Sequence, residues 1–567
     1  MKFRNILHLL LAFAFAGCST SFYRKSADRE AGAVISQKTG RVPNMDPKFG
    51  IQTGGSPSLA GLPANKKVDE FMGEDGESER GEPVLSLEKA LEIAVNHSPS
   101  YQDRKEDLFL SALKLTLARH QFSPIFSGGG TIINKGVHAE LSADPGNSGA
   151  SSVTDTLAEQ YRAHGSAGVD WLIRDIGRIS VAATTDFTRF VTGGGQSIGG
   201  SSLGASLTRP LLRNAGFKRE VENLTQADRD LLYAMREFTR YRKTFSVGIA
   251  SDYYSILNQR DQVRNSYVSL KNSRGNVERG RSLASEGRMS QSDLGRLEQS
   301  GLSRESSWIS AVRSYKTALD SFKISLGVPV KTRLLLDDRE LDRLKIENPE
   351  IGIEDAIRVA DAARLDLQTS ADKSADAQRR VSLAAEGLKP QLDLQAGGSL
   401  AGARTYALPG LNASNYQWNG GAIVDLGLDR KAQRNDYRSA LIDFERAKRA
   451  LKQDRDQVEL AVRESYRSLE KSKRDYEIYQ RGVELAQRRV EEQELRAELG
   501  LAKAQDQVDA QNDLVEYKNR LTDALISHTN DRLRFWNNIG ILYIKDAGKW
   551  YTHMNAPKKE THGGKAN

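Results

Sequence analysis

The chain contains a single cysteine, Cys18, among its 567 residues. A disulfide within the chain is therefore impossible, and a metal site built from several cysteine ligands is excluded. The eight histidines show no metal-ligand spacing, and the sequence has neither a G-x-S-x-G nucleophile motif nor a phosphate-binding P-loop. These absences argue against an enzyme, and we expect no cofactor and no metal.

Long apolar runs and blocks of one charge sign are also lacking. After Ala16 no apolar stretch of about 18 residues occurs, so no further transmembrane helix is expected. Lysine and arginine outnumber aspartate and glutamate by 82 to 74, a net charge of +8, but the two signs interleave along the chain. This pattern is typical of solvated helix faces and argues against a nucleic-acid partner.

Proline is absent from two long intervals, between Pro210 and Pro329 and between Pro409 and Pro557. Because proline breaks helix interiors, both intervals can be helical almost throughout. Each contains an apolar seam with the three- and four-residue steps of a coiled coil. The first seam consists of Leu224, Ala227, Leu231, Ala234, Phe238, Tyr241, Phe245 and Gly248. The second consists of Tyr437, Leu441, Phe444, Leu451, Val458, Val462, Tyr466 and Leu469, with the charged residues Lys448 and Arg455 in two of its positions. We expect a first helix from about Lys218 to Leu283, roughly 100 Å long.

The pattern of the sequence occurs twice. The segment LSLEKALEIAVNHSPS at 85–100 has a counterpart in IGIEDAIRVADAARLD at 351–366, in which Ala356 corresponds to Ala90. Farther along, Tyr466 corresponds to Tyr254, but these two residues are closer together in the sequence than Ala90 and Ala356 are. The first repeat, 85–331, therefore carries an insertion that the second, 350–545, lacks. Each repeat predicts a helix, a sheet-like insert, a very long helix, a break and another helix.

Both inserts show the alternation of β-strands. Apolar and polar residues alternate at 391–396 and 416–419 in the second repeat, and around 179–187 and 203–208 in the first. Such alternation fits a half-buried sheet in water and a lipid-facing barrel wall equally well. The stretch from Asn134 to His164, rich in glycine, serine and aspartate, is expected to form an exposed loop.

The N-terminus has the features of a secretory signal, with Lys2 and Arg4 before an apolar core and small residues before Cys18. It resembles the lipobox of bacterial lipoproteins, although Phe15 stands where that family usually has leucine. The resemblance implies a signal peptide at 1–17, a lipid on Cys18 and, with Ser19 following, sorting to the outer membrane. An ordinary signal peptide with an incidental cysteine is the alternative.

The flanks of the two repeats are rich in glycine, serine, proline and charge. We therefore expect residues 18–84 to form an extended linker between the lipid and the body of the protein. The tail at 546–567 is expected to be disordered.

Residues 84–545 resemble the outer-membrane efflux proteins of TolC type. The resemblance depends on LSLEKALEIAVNHSPS, on RPLLRNAGFKRE at 209–220, on Tyr253, Tyr254 and Tyr466, and on the paired breaks SEGRMSQSDL and LGLAKAQDQVD. It implies a mainly α chain with a transmembrane β part. Long antiparallel coiled-coil helices would form a periplasmic α-barrel, and four or so strands per chain would form a twelve-stranded β-barrel in a homotrimer. A periplasmic adaptor and an inner-membrane transporter would complete an efflux or type I secretion system.

The resemblance also implies roles for residues at the two breaks. Gly287, Asp293 and Gly500 would lie at the periplasmic helix–helix turns and receive the adaptor, unless the glycines merely permit the turns. Asp506 and Asp509, spaced i,i+3 on one helical face, would line a cation-attracting gate at the periplasmic entrance. Alternatively, these aspartates complement the dipole at a solvated helix start.

A protein without a pore is the rival interpretation. The same coiled-coil seams would suit a periplasmic structural or adaptor protein tethered by a lipid on Cys18. Such a protein would need neither amphipathic strands nor a duplicated helix–insert–helix order.

Overall fold

The computed structural model describes residues 19–51, 55, 57, 59–139, 156–191, 198–402, 411–499, 503–545 and 547–550. The expected signal peptide, Cys18 and Gly500 lie outside these residues, as does most of the expected C-terminal tail.

The helices confirm the internal duplication. An N-terminal helix, α1, spans Thr20–Thr39. The first repeat contains α2 (Leu87–His97), α3 (Pro99–His120), α4 (Lys218–Ser285) and α5 (Gln291–Leu326). The second contains α6 (Ile353–Ala363), α7 (Leu365–Glu386), α8 (Lys431–Glu498) and α9 (Ala504–Asn538). These helices have 11, 22, 68 and 36 residues in the first repeat and 11, 22, 68 and 35 in the second.

Six strands form one antiparallel sheet. They are β1 (Ile125–Ala139), β2 (Thr156–Ile173), β3 (Gly177–Phe190), β4 (Ile198–Pro210), β5 (Gln391–Gly402) and β6 (Leu411–Asp425). Their order in the sheet is the order in the chain, so each strand pairs with the next. The described residues thus contain two strands more than the four or so expected from the resemblance.

The prediction of an exposed loop at 134–164 is wrong for the residues of this stretch that the structure describes. Residues 134–139 belong to β1 and residues 156–164 to β2, and the two strands pair from Ile125 with Asp170 to Ala139 with Thr156. Glycine and polar residues suggested a loop, but pairing with the neighbouring strand provides partners for their backbone N–H and C=O groups.

Two compact units divide the chain, and the sheet belongs to the first, which comprises 1–34, 111–231 and 372–449. Ion pairs link α4 to α7 within this unit. Arg229 Nη1 lies 2.7 Å from Asp376 Oδ1, and Arg379 Nη2 lies 3.1 Å from Glu222 Oε1. Asp376 is almost fully buried and receives both arginines, so this pair of helices is held by charge as well as by packing.

The second unit, 35–110, 232–371 and 450–567, contains a helical core. Buried residues of α2, α4, α5 and α9 pack together, and a smaller cluster joins α6 and α7 to α8 and α9. Short helices at Glu70–Met72, Asp75–Ser78 and Arg339–Asp342 and a two-residue parallel pairing of Val84–Leu85 with Leu335–Leu336 lie around the core. The buried Tyr253 hydroxyl joins this pairing to α4, since it donates to Leu85 O at 2.9 Å and accepts from Asp337 N at 3.1 Å.

The predicted seams differ between the two long helices. On α8, the buried residues Val458, Val462 and Leu469 follow the predicted stripe. On α4, Leu231 and Phe238 are buried as predicted, but Gly248 is exposed. Between 231 and 257, α4 buries residues on several sides because it passes through the core of the second unit. Its buried residues therefore cover more of the helix surface than the predicted single stripe.

Residues 19–83 do not form the expected extended linker. Helix α1 lies within this segment, and Ile35, Met45, Phe71 and Met72 are buried. Arg260 on α4, only 3% exposed, binds both carboxylate oxygens of Glu79 at 3.1 and 2.9 Å and Asp69 at 2.6 Å. Charged residues that suggested a solvated linker therefore attach this segment to the helical core.

His528 on α9 is fully buried and binds the connection between the repeats. Its Nε2 donates to Asn348 Oδ1 at 2.8 Å. Burial lowers the pKa of His528 to about 4, and the positive charges of Arg532 and Lys473 add to the effect. The folded chain therefore holds this imidazole neutral.

Protonation of His528 is expected to destabilise the fold in acid. The unfolded chain binds a proton at this histidine below its ordinary pKa of about 6.5, whereas the folded chain does so only near the lowered pKa. Stability should thus be retained above pH 6.5 and fall as the pH is lowered toward 4. Between pH 7 and pH 5, we expect the parent to lose about 2 kcal/mol more than a His528→Gln variant in thermal unfolding. His120→Gln, at an exposed histidine, is the control, and equal pH profiles for the parent and His528→Gln would contradict the assignment.

Candidate functional site

The six-stranded sheet has one apolar face that continues across every strand. Pairing places one residue from each strand in a single row, which consists of Phe126, Val169, Val181, Ala205, Gly398 and Trp418. The neighbouring row on the same face contains Trp171, Ile179, Leu207, Ala396 and Gly420. The alternation of apolar and polar residues predicted from the sequence is therefore aligned from strand to strand, so that most of the apolar residues of the sheet lie on one face.

The opposite face is mainly polar, although Ile125, Ile133 and Ile423 also lie on it. Asp170, Ser180 and Ser206 form one row on adjacent strands, and the Ser180 hydroxyl donates to the Asp170 carboxylate. Farther along, His164 Nδ1 donates to Asp186 Oδ1 at 2.7 Å, and the hydroxyls of Thr184 and Ser202 lie 2.6 Å apart. Side chains of this kind line water rather than an apolar core.

The largest apolar side chains of the first face are exposed within the single chain. Phe126 is 79% exposed, Ile132 is 81% exposed and Trp418 is 80% exposed. Contiguous exposed apolar surface of this extent marks contact with another protein or with lipid, because exposure to water costs about 25 cal/mol per Å².

The sheet ends in two edges, β1 and β6. Each is 15 residues long, and within the described residues each pairs with a strand on one side only. Long unpaired edges present rows of free N–H and C=O groups that can pair with another chain.

The segment RPLLRNAGFKRE turns the chain from β4 into α4. Leu211 N donates to Leu392 O at 2.7 Å and Arg213 N to Pro390 O at 3.1 Å, which extends the contact between β4 and the start of β5. Asn214 then adopts a left-handed conformation with φ of 60°, and its side-chain Oδ1 accepts from Arg219 N at 2.9 Å. An asparagine tolerates this conformation and caps the helix, so the sequence fixes the point at which the sheet ends.

Gly287 lies in the turn that joins α4 to α5. Its φ is 74°, and Arg288 N donates to Leu283 O at 2.8 Å, which closes α4 with a Schellman motif. Ser290 begins α5, since its hydroxyl accepts from Asp293 N at 3.1 Å. Asp293, predicted as an adaptor contact, therefore also forms part of the cap of α5.

The second turn joins α8 to α9. Asp506 and Asp509 lie in the first two turns of α9, as predicted; Asp506 is exposed and Asp509 half-buried. Gln505 Nε2 donates to Asp509 Oδ1 at 2.8 Å. The two carboxylates thus share one helical face beside the turn.

Asp513 and Arg489 were missed by the sequence analysis. Asp513 lies one turn beyond Asp509 on α9, and its carboxylate forms an ion pair with Arg489 of α8. The spacing of Asp506, Asp509 and Asp513 was visible in the sequence, since steps of three and four place all three on one face. The arginine could not be identified, because only the pairing of α8 with α9 selects it from the many basic residues of α8.

Within the described part of the chain, no cluster of three or more histidine, cysteine, aspartate or glutamate side chains could hold a metal ion. None of the described helices is both long and apolar enough to cross a membrane.

No family model and no curated protein matches this sequence. Solved structures do match its fold. CusC, described in work on transmembrane channel formation, is 13% identical with a TM-score of 0.60, over 80% of this chain and 92% of that chain. The Campylobacter jejuni CmeC outer membrane channel is 13% identical with a TM-score of 0.57, over 88% and 96%. The outer membrane protein VceC from Vibrio cholerae is 14% identical with a TM-score of 0.57, over 80% and 96%.

The similarity to these structures extends over most of both chains. The chain has the fold of the TolC-like outer-membrane channels, as the resemblance of its sequence predicted.

Proposed function

We propose that three copies of this chain form a channel across the outer membrane that serves as the exit duct of a tripartite efflux or type I secretion system. The observation that supports this proposal most directly is the sheet with one apolar face, one polar face and two unpaired edges. The matching outer-membrane channels support the location.

The sheet is incomplete as a membrane wall in one chain. In lipid, every backbone N–H and C=O group needs a hydrogen-bond partner, so a β-sheet is stable there only as a closed barrel. Identical copies can close such a barrel by pairing the β6 edge of one with the β1 edge of the next, and cyclic symmetry is the usual way to do so. The apolar face would then contact lipid and the polar face would line the water-filled lumen.

The helix–helix turns are the proposed docking points of a periplasmic adaptor, which would link the channel to an inner-membrane transporter. Gly287 lies in the first of these turns and Asp293 in the first turn of α5 beside it. Gly500 would belong to the second. A lipid on Cys18 would anchor the N-terminus in the outer membrane, and the helices would lie in the periplasm.

Asp506 and Asp509 are the proposed gate residues. Three copies would bring six carboxylates to the periplasmic entrance, and such a ring attracts cations. The ion pair of Arg489 with Asp513 lies one turn farther along the same face of α9, where it would hold α8 against α9 beside the gate.

The rival function, a lipid-tethered coiled coil without a pore, is disfavoured. It would not need a six-stranded sheet whose apolar residues are exposed in phase on every strand. It also would not need the Asn214 turn that directs the sheet into α4.

The proposed channel predicts discrete conductance steps. Purified full-length protein in planar bilayers should give stable steps, and unboiled gels should show a trimer that dissociates on heating. A Cys18→Ala variant, exported with an unlipidated signal peptide, should still need detergent for extraction because the barrel and not the lipid spans the membrane. Release of this variant as a soluble, non-conducting protein would support the tethered coiled coil.

A charge on the apolar face should prevent insertion. Trp418→Arg is expected to destabilise the inserted protein by about 2–4 kcal/mol, because the side chain would face lipid. Gln417→Arg, one residue away on the polar face, should have little effect. The urea midpoint of the heat-modifiable trimer measures both, and equal losses at the two positions would refute the assignment of faces.

Removal of the gate carboxylates should alter ion selectivity. In Asp506→Asn/Asp509→Asn, we expect weaker cation selectivity and weaker block by divalent cations, because the carboxylate ring is lost. Glu491→Gln/Glu494→Gln removes a second i,i+3 acidic pair, on α8 near the same turn, and is the matched control. Unchanged selectivity and block in the aspartate variant would rule out the ring.

A further inference from the structure

The first repeat contributes four strands to the sheet, whereas the second contributes two. Before the strands, the corresponding helices α2 and α6 begin at Leu87 and Ile353. After the strands, α4 and α8 begin at Lys218 and Lys431. The distance in sequence between corresponding positions is therefore shorter after the strands, so the first repeat is longer in this interval. The second repeat passes from α7 into two strands, β5 and β6. In the first repeat, four strands, β1 to β4, occupy the corresponding interval between α3 and α4, so this repeat contributes one hairpin more than the second.

The β1–β2 hairpin continues the two faces of the other four strands. Phe126 pairs with Val169, and Val169 pairs with Val181 of β3, all on the apolar face. One residue along, Asp170 pairs with Ser180 on the polar face. A shift of one residue in the strand register would exchange the two faces of the hairpin. A hairpin that did not belong to the barrel would not need to align its apolar residues with those of the other strands.

The hairpin is also firmly joined to the sheet. Strands β2 and β3 pair along the full length of β3, from Gln160 with Phe190 to Ile173 with Gly177. A strand has only two sides, so β3 could accept a strand from another copy only if this whole ladder opened.

Both edges of the six-stranded sheet suit a second copy of the chain. Because the sheet contains an even number of antiparallel strands, β1 and β6 run in opposite directions. The β6 edge of one copy and the β1 edge of the next can therefore pair antiparallel, and they have equal lengths of 15 residues.

We propose that the β1–β2 hairpin is part of the barrel wall and that β6 pairs with β1 of the next copy, so that three copies form a barrel of eighteen strands. This inference rests on the proposed trimeric channel. Since barrel diameter grows roughly linearly with strand number, the lumen is about 1.5-fold wider than that of a twelve-stranded barrel. The barrel end thus admits solutes of larger cross-section, because an eighteen-stranded wall leaves a broad aqueous channel.

Disulfide cross-linking between copies tests the pairing. A cysteine replaces Gly420 on the apolar face of β6, where an added Cβ meets nothing within 4 Å. It is combined with single cysteines on the same face of β1, at Phe126, Gly128, Gly130, Ile132 or Asn134. The matched set places them on β3, at Ile179, Val181, Ala183, Thr185 or Phe187. The parent, with Cys18 alone, is the control.

We expect oxidised full-length protein to give inter-chain cross-links with at least one β1 position and with none on β3. Cross-links to β3, or none to β1 in a protein that still forms trimers and conducts, overturn the eighteen-stranded barrel and leave the proposed channel intact. Loss of trimers and of conductance in the parent itself defeats the proposed function, and this inference with it.

Deletion of residues 124–176, which joins Ser123 to Gly177, provides a second measurement. The variant should close with four strands per copy, and the largest polyethylene glycol that enters from the barrel end should have a diameter about one third smaller. If the deletion variant conducts and admits polyethylene glycol of the same maximum size as the parent, the eighteen-stranded barrel is contradicted. If the deletion variant does not fold, the cross-linking result alone decides.

Discussion

Backbone hydrogen bonding at the edges of the six-stranded sheet is the constraint on which the proposed assembly depends. Strands β2 to β5 have both sides paired, whereas β1 and β6 leave 15-residue rows of donors and acceptors without a strand partner in the described chain. An apolar environment cannot supply those partners, so a sheet with an exposed apolar face is stable there only when another copy closes it. In the proposed assembly, the side chains of Phe126, Ile132 and Trp418, which are exposed in the single chain, would contact lipid instead of water.

The helices provide a repeated scaffold for that sheet. Four helices of nearly the same lengths recur in the two repeats, and each repeat inserts its strands between its second and third helix. The N-terminal segment reinforces the scaffold, because Glu79 and Asp69 neutralise the buried Arg260. His528 and Asn348 join α9 to the connection between the repeats. Removing one partner of such buried polar contacts is costly, since the other group remains desolvated.

The candidate site could be predicted in part. Asp506 and Asp509 could be placed on one helical face from their spacing, and Gly287 at a turn from the break in the helical pattern, because both depend on local geometry. Arg489 could not be chosen, because the sequence does not specify which residue of α8 faces Asp513. The N-terminal segment was misjudged for the same reason. Its polar composition resembles that of a linker, and only the position of Arg260 on α4 explains why Asp69 and Glu79 are bound.

The sequence by itself determined the duplication, the two very long helices and the alternation of the strands, since each follows from periodicity, proline position and spacing along the chain. The tertiary structure decided how many strands join the sheet and which apolar face they share. Glycine-rich segments such as 128–130 have little intrinsic preference for strands and become strands through pairing with a neighbour. Contacts between residues distant in the chain, which no local pattern encodes, therefore set the width of the sheet.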